Sequence, residues 1–95
     1  MTASPPVVTV GHAPGGHFCE AAERVLTDLA VQVPLDVRLV PSTSVAGLRL
    51  VAAHRPAMFP LVLVDGEFFS AGRLPHRRLR TVLASRAGVP AAAVG

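Results

Sequence analysis

Leu61-Val62-Leu63-Val64 runs directly into Asp65-Gly66 and then Glu67-Phe68-Phe69-Ser70. Two apolar runs separated by Asp-Gly are the strongest short-range signal for a two-residue β-hairpin, because that turn needs positive φ at both central residues. The segment therefore has to pair antiparallel with itself. The rest of the chain must supply whatever covers that sheet. Upstream, Val7-Val8-Thr9-Val10 is short and β-branched and reads as a buried strand. Leu35-Asp36-Val37-Arg38-Leu39-Val40 alternates apolar with polar and predicts a strand with one wetter face.

Helical spacing fills the gaps. Phe18, Ala22, Val25, Leu26 and Leu29 recur on one side of a helix, with Glu20, Glu23 and Arg24 on the other. Glu20 and Glu23 also suit the positive end of the helix dipole. Pro34 requires that helix to end by about Val33. Pro41-Ser42-Thr43-Ser44 offers turn and N-cap chemistry before a second helix through Val45, Leu48, Val51 and Ala52, which stops near His54-Arg55-Pro56. A last helix follows Gly72 through Leu74, Leu79, Val82 and Leu83, and Gly88-Val89-Pro90 ends it. The order is β-α-β-α-β-β-α. Strands joined through a helix are parallel, and the hairpin adds an antiparallel edge. The expected architecture is α/β, a four-stranded mixed sheet flanked by helices. One domain over 7–86 is expected, with a disordered stretch at 1–6 and a flexible tail at 87–95.

The chain has 95 residues, 51% hydrophobic and 16% charged, which is a globular composition with one small core. No apolar stretch reaches the ~20 residues that span a bilayer, so no membrane partner is expected. Met1-Thr2-Ala3-Ser4-Pro5-Pro6 lacks the charged and apolar regions of a signal peptide, and a cytoplasmic location is the expectation. A net charge of +3, with four Phe and no Tyr or Trp, gives neither the charge nor the stacking residues of a nucleic-acid binder. Oligomeric state is left open.

The chemistry concentrates in Pro14-Gly15-Gly16-His17-Phe18-Cys19, between the first strand and the first helix. A thiol–disulfide enzyme places cysteine at both ends of the tetrapeptide that opens this helix. Here Gly16 holds the first position and Cys19 is the only cysteine in the chain. An intramolecular disulfide is excluded. A thiolate is the reactive form, and a helix N-terminus favours it, so Cys19 is the candidate nucleophile. The plainer reading is a small buried hydrophobe. His12, His17 and Cys19 lack a fourth ligand and fit no closed metal site, so no metal is expected within one chain; a metal carrier using Cys19 and His17 across two chains stays open. Arg73, Arg77, Arg78, Arg80 and Arg86 gather with His76 on and before the last helix, as a partner surface or as a solvated face.

Together with Phe59-Pro60 directly before the third strand, and Ser70-Ala71-Gly72 before the last helix, this pattern resembles the glutaredoxins and the wider thioredoxin-like superfamily. The resemblance covers roughly residues 6–86. Glutaredoxins typically read Pro-Gly-Cys-x-x-Cys at residues 14–19, a cis-proline at Pro60, and a Gly-Gly pair near Ser70-Ala71. The hairpin and last helix are also similar to short actinobacterial glutaredoxin-like proteins and to redoxins with Ser-Gly-x-x-Pro near residues 70–75. The resemblance implies a thioredoxin-like fold and a site built from Cys19, Gly16, His17, Phe59, Pro60, Ser70, Ala71 and Arg73. In it, replacing the first cysteine with Gly16 uncovers Cys19. The Pro60 edge meets a substrate strand or a small thiol, and the Phe59 ring narrows the thiol pocket. Arg73 meets a small thiol's carboxylates, although it stands where many glutaredoxins have acidic residues. No cofactor is implied beyond a low-molecular-weight thiol as co-substrate. Two functions follow as expectations. One is a single-cysteine thiol-redox protein that forms intermolecular mixed disulfides, acting as a thiol–disulfide oxidoreductase or a thiol peroxidase, with conventional glutaredoxin activity not expected. The other is a non-catalytic binding module on the same scaffold.

Overall fold

The computed structural model describes residues 4–15 and 17–86. The expected tail at 87–95 and Gly16 lie outside the described residues, as do positions 1–3 of the expected N-terminal stretch. Strand β1 (Val7–His12) is followed by helix α1 (His17–Gln32), strand β2 (Asp36–Pro41), helix α2 (Val45–His54), strands β3 (Leu61–Val64) and β4 (Glu67–Ala71), and helix α3 (His76–Arg86). The sheet order is β2-β1-β3-β4. β1 and β2 are parallel, while β1–β3 and β3–β4 are antiparallel.

Alternation along the strands decides which layer each side chain joins. Val8 and Val10 of β1, with Val62 and Val64 of β3, form a core with Ala22, Leu26 and Leu29 of α1, Val33 just beyond it, and Leu79, Leu83 and Ala84 of α3. Full burial of such an aliphatic side chain stabilises by about 1.5–3 kcal/mol. Leu61 and Leu63 point to the opposite face, and all of β3 is buried, which is why it reads as an unbroken apolar run. On that face the His54 ring of α2 lies 6.4 Å from the Phe68 ring.

The hairpin turn forms as its sequence requires, with φ of 50° at Asp65 and 83° at Gly66. Asp65 also ties distant segments together. Its Oδ1 accepts from the Val7 N–H (2.8 Å), and its own N–H donates to the Val7 carbonyl (2.8 Å). Its Oδ2 pairs with Arg86 at 3.1 Å, and Arg86 also reaches Glu67 at 3.4 Å.

Several boundaries differ from the sequence expectation for local reasons. Pro6 is buried and its carbonyl accepts from Asp36 N–H at 2.9 Å, so sheet contact begins before Val7, inside the stretch expected to be disordered. β1 runs on to His12 because Gly11 and His12 stay in register with Val40 and Pro41. α3 begins at His76 because the first helical bond, Leu79 N–H to the Pro75 carbonyl, makes Pro75 the flanking residue. Helix α2 is capped by Ser44, whose side chain accepts from Gly47 N–H at 3.0 Å. Its inward residue is Gly47, which presses against the backbone of Pro41 and Ser42. That contact turns Val45 (69% exposed) and Leu48 (59% exposed) outward, although their spacing suggested the buried stripe.

Candidate functional site

Cys19 is buried, 5% exposed, in the first turn of α1. The expectation that Gly16 would uncover it does not hold, and the reason is helix phase. Cys19 precedes Ala22, Leu26, Leu29 and Val33 at steps of three and four, so it heads the stripe that faces the sheet. Phe18, one position earlier, is 40% exposed at the rim rather than in the core. The His17 side chain is outside the described residues.

The Phe59–Pro60 peptide is cis. Pro60 is buried, has no N–H, and its carbonyl accepts from Gly72 N–H at 3.0 Å. Among the described residues no loop backbone bond engages Met58 or half-buried Phe59. Gly72 holds φ of 89°, and a Cβ on it would come within 3.3 Å of Met58. Positive φ and that close neighbour both favour glycine. The Pro60 and Gly72 loops are therefore locked together. Ser70 is buried, and its Oγ has no hydrogen-bond partner among the described residues. Ala71 is half-buried and Arg73 is exposed.

The open space lies beside these loops. A groove of about 310 Å³ runs between α1 and the segment entering α3, lined by Phe18, Ala21, Val25, Arg73, Leu74 and His76. A shallower cleft of about 460 Å³ adjoins it and shares Arg73, Leu74 and His76, with Arg77 and Arg78 on its far side. Cys19, Phe59, Pro60 and Ser70 line neither. Of the expected site residues whose side chains are described, the structure brings only Arg73 into this space.

The arginine cluster divides by environment. Arg78 lies 4.8 Å over the Phe69 ring and donates to the Phe69 carbonyl at 3.3 Å. Arg86 belongs to the hairpin pole. Arg80 is half-buried between α1 and α3 beside Asp28 and Gln32, with Nε unpartnered among the described residues. Arg73 and Arg77 meet no carboxylate within 4 Å among the described residues. No acidic residue occupies the first turn of α3, so cations stand at the end of the helix that favours anions. Sequence reasoning missed Phe18 and Leu74 as groove walls; only tertiary folding brings them together.

Among the described residues no group of three His, Cys, Asp or Glu side chains is placed to hold a metal ion. No described helix is long and apolar enough to cross a membrane.

No family model and no curated protein matches the chain. Solved structures do. A point-mutant thioredoxin from Halobacterium salinarum superposes with a TM-score of 0.69 at 20% identity, over 88% of this chain and 76% of that one. A thioredoxin-like protein from Clostridium perfringens gives 0.70 at 11% identity, over 86% and 71%. With a four-stranded mixed sheet in the order β2-β1-β3-β4 and helices in β-α-β-α-β-β-α sequence, the chain has the thioredoxin-like fold.

Proposed function

We propose that this chain is a thioredoxin-fold binding module that holds an anionic, peptide-like ligand in the groove between α1 and the start of α3, and that Cys19 is a core residue rather than a nucleophile. The observation that carries this reading is the groove itself. It pairs an apolar wall, Phe18, Ala21 and Leu74, with the exposed guanidinium of Arg73, and Arg77 stands in the adjoining cleft. A carboxylate there gains charge-assisted hydrogen bonds and the favourable end of the α3 dipole. A small thiol such as glutathione has the required carboxylates and needs no reaction at sulfur to bind.

The test is an amide-shift titration with S-methylglutathione, which cannot form a disulfide. Shifts are expected at Phe18, Arg73, Leu74 and His76. The Arg73→Glu/Arg77→Glu double variant is expected to weaken binding by about tenfold or more, as loss of charge-assisted contacts implies. Absence of shifts at millimolar ligand overturns the small-thiol ligand.

A second reading, glutaredoxin-like thiol exchange, is supported by the place of Cys19 in the first turn of α1 and by the cis peptide at Pro60. In it the Cys19 thiolate attacks a disulfide, forms a mixed disulfide, and releases the other half as thiolate. That step needs an accessible sulfur. Alkylation by iodoacetamide, followed by intact mass, is expected to be at least about tenfold slower in the folded chain than in denaturant, because a buried group reacts only through local opening. Fast alkylation with an inflection below the free-thiol value of about 8.5 reinstates the redox reading.

A further inference from the structure

The two edges of the sheet are treated differently. β4 carries a register irregularity opposite Val62 and Leu63, and the Arg78 guanidinium occupies the Phe69 carbonyl. A bulge and a bonded carbonyl are both devices that close an edge to further strands. β2 has neither. Its Asp36 N–H donates to the Pro6 carbonyl, and Ser42 N–H, just beyond it, donates to the His12 carbonyl. The even-numbered residues therefore turn their backbone groups towards β1, and by alternation Leu35, Val37 and Leu39 turn theirs outward. The open stretch ends at Pro41, which has no N–H and whose carbonyl accepts from Ser44.

The side chains of this stretch complement themselves. Val37 packs against the core, and by the register with β1 it shares its face with Leu39, which is 50% exposed. Asp36 and Arg38 lie on the opposite face and pair along the strand at 3.1 Å, with side chains 44% and 63% exposed. Leu35-Asp36-Val37-Arg38-Leu39 thus reads apolar, acidic, apolar, basic, apolar. Reversed and laid beside itself about Val37, it sets Asp36 opposite Arg38, Arg38 opposite Asp36, and Leu35 opposite Leu39. Centring on Asp36 or Arg38 instead sets like charges face to face.

We propose that two copies of this chain associate edge to edge through β2, antiparallel about a two-fold axis at Val37, joining their sheets into one. Val37 faces Val37 of the second copy as a hydrogen-bonded pair, and Leu35 faces Leu39 in the two flanking ones, giving about six inter-chain backbone bonds. Asp36 and Arg38 then fall in the closer, non-hydrogen-bonded positions, where cross-strand charge pairs act most strongly. The four charges form an array of alternating sign, and the exposed Leu39 gains an apolar neighbour. The interface is isologous, as a closed dimer requires.

Sedimentation velocity of the full chain across micromolar to millimolar concentration tests this. A monomer–dimer equilibrium is expected, weakening as salt is raised. Asp36→Arg and Arg38→Asp are each expected to raise the dimer dissociation constant by about tenfold or more, because two attractive cross-strand pairs become repulsive. Mixing those two variants is expected to give a heterodimer tighter than either homodimer. The double exchange Asp36→Arg/Arg38→Asp is expected to restore association. Both side chains are exposed, so thermal melts of the variants report separately that the fold is intact. A wild-type chain that stays monomeric throughout overturns the proposal. So does a dimer indifferent to both single exchanges, which would place the interface on another surface, such as the outward Val45 and Leu48 of α2.

Discussion

Replacing Gly47 with alanine is expected to lower the melting temperature by roughly 10–20 °C, against the direction that helix propensity alone predicts. Alanine in place of glycine within a helix normally stabilises by up to about 1 kcal/mol. At Gly47 the added Cβ would overlap the Pro41 carbonyl oxygen and sit 2.8 Å from the Ser42 Cα. Both neighbours are backbone, so no rotamer change relieves the clash. Either α2 lifts from the end of β2, or the turn at 41–44 distorts and loses the Ser44 cap. Overpacking of this kind costs about 1–3 kcal/mol or more, and the lost cap adds about 1 kcal/mol. In a domain of this size each kcal/mol moves the melting temperature by about 4–8 °C. The check is a thermal melt followed by circular dichroism. An unchanged or raised melting temperature would mean that α2 does not sit as closely on Pro41 as described.

The second large effect is expected at Leu79. Its side chain is fully buried in the core, with Leu83 and Ala84 one turn on, and it is the first residue of α3 to face the sheet. Leu79→Ala removes atoms from a site closed on all sides and leaves a cavity, a change that costs about 2–5 kcal/mol. Against a total stability of about 5–15 kcal/mol this is a large share. Urea unfolding measures it, and a fall in midpoint without a change in slope identifies a stability effect. Arg77→Ala, two positions away on the exposed side, is the control and is expected to stay within about 0.5 kcal/mol. Because α3 carries Arg77 and follows the Arg73-Leu74 wall, Leu79→Ala is also expected to loosen the groove.

Local chemistry made much of this fold legible before any coordinates. Asp65-Gly66 specifies its turn by backbone sterics alone, and Ser44 specifies a helix start by supplying an acceptor for Gly47 N–H. Such signals act over a few residues and survive folding unchanged. The outward turn of Val45 and Leu48 was not legible. Their spacing fits a buried stripe as well as an exposed one, and a glycine between them settles the matter through a contact with Pro41. Cys19 is an intermediate case. Its register with Ala22, Leu26 and Leu29 was in the sequence, whereas the likeness of its surroundings to a thiol-exchange motif suggested exposure. The phase of the helix outweighs the motif, because burial follows from which side of α1 a residue occupies. The groove depends on Phe18 meeting Leu74 across more than fifty positions of chain, and no local pattern encodes that.

The Asp65 carboxylate has one oxygen on the first residue of β1 and the other on the last residue of α3. β1 leaves this pole and α3 returns to it, while the Arg73 groove lies at the other end, where β4 ends and α3 begins. A circular permutant that links residue 86 to residue 6 with a short flexible tether would therefore close the backbone where a side chain already bridges it, and would keep the Pro6 carbonyl that accepts from Asp36 N–H. It would leave the pole that carries the Arg73 groove unobstructed. Fusion partners attached at either position would project from the same pole, so the fold can serve as a plug-in element whose anchorage points away from the Arg73 groove.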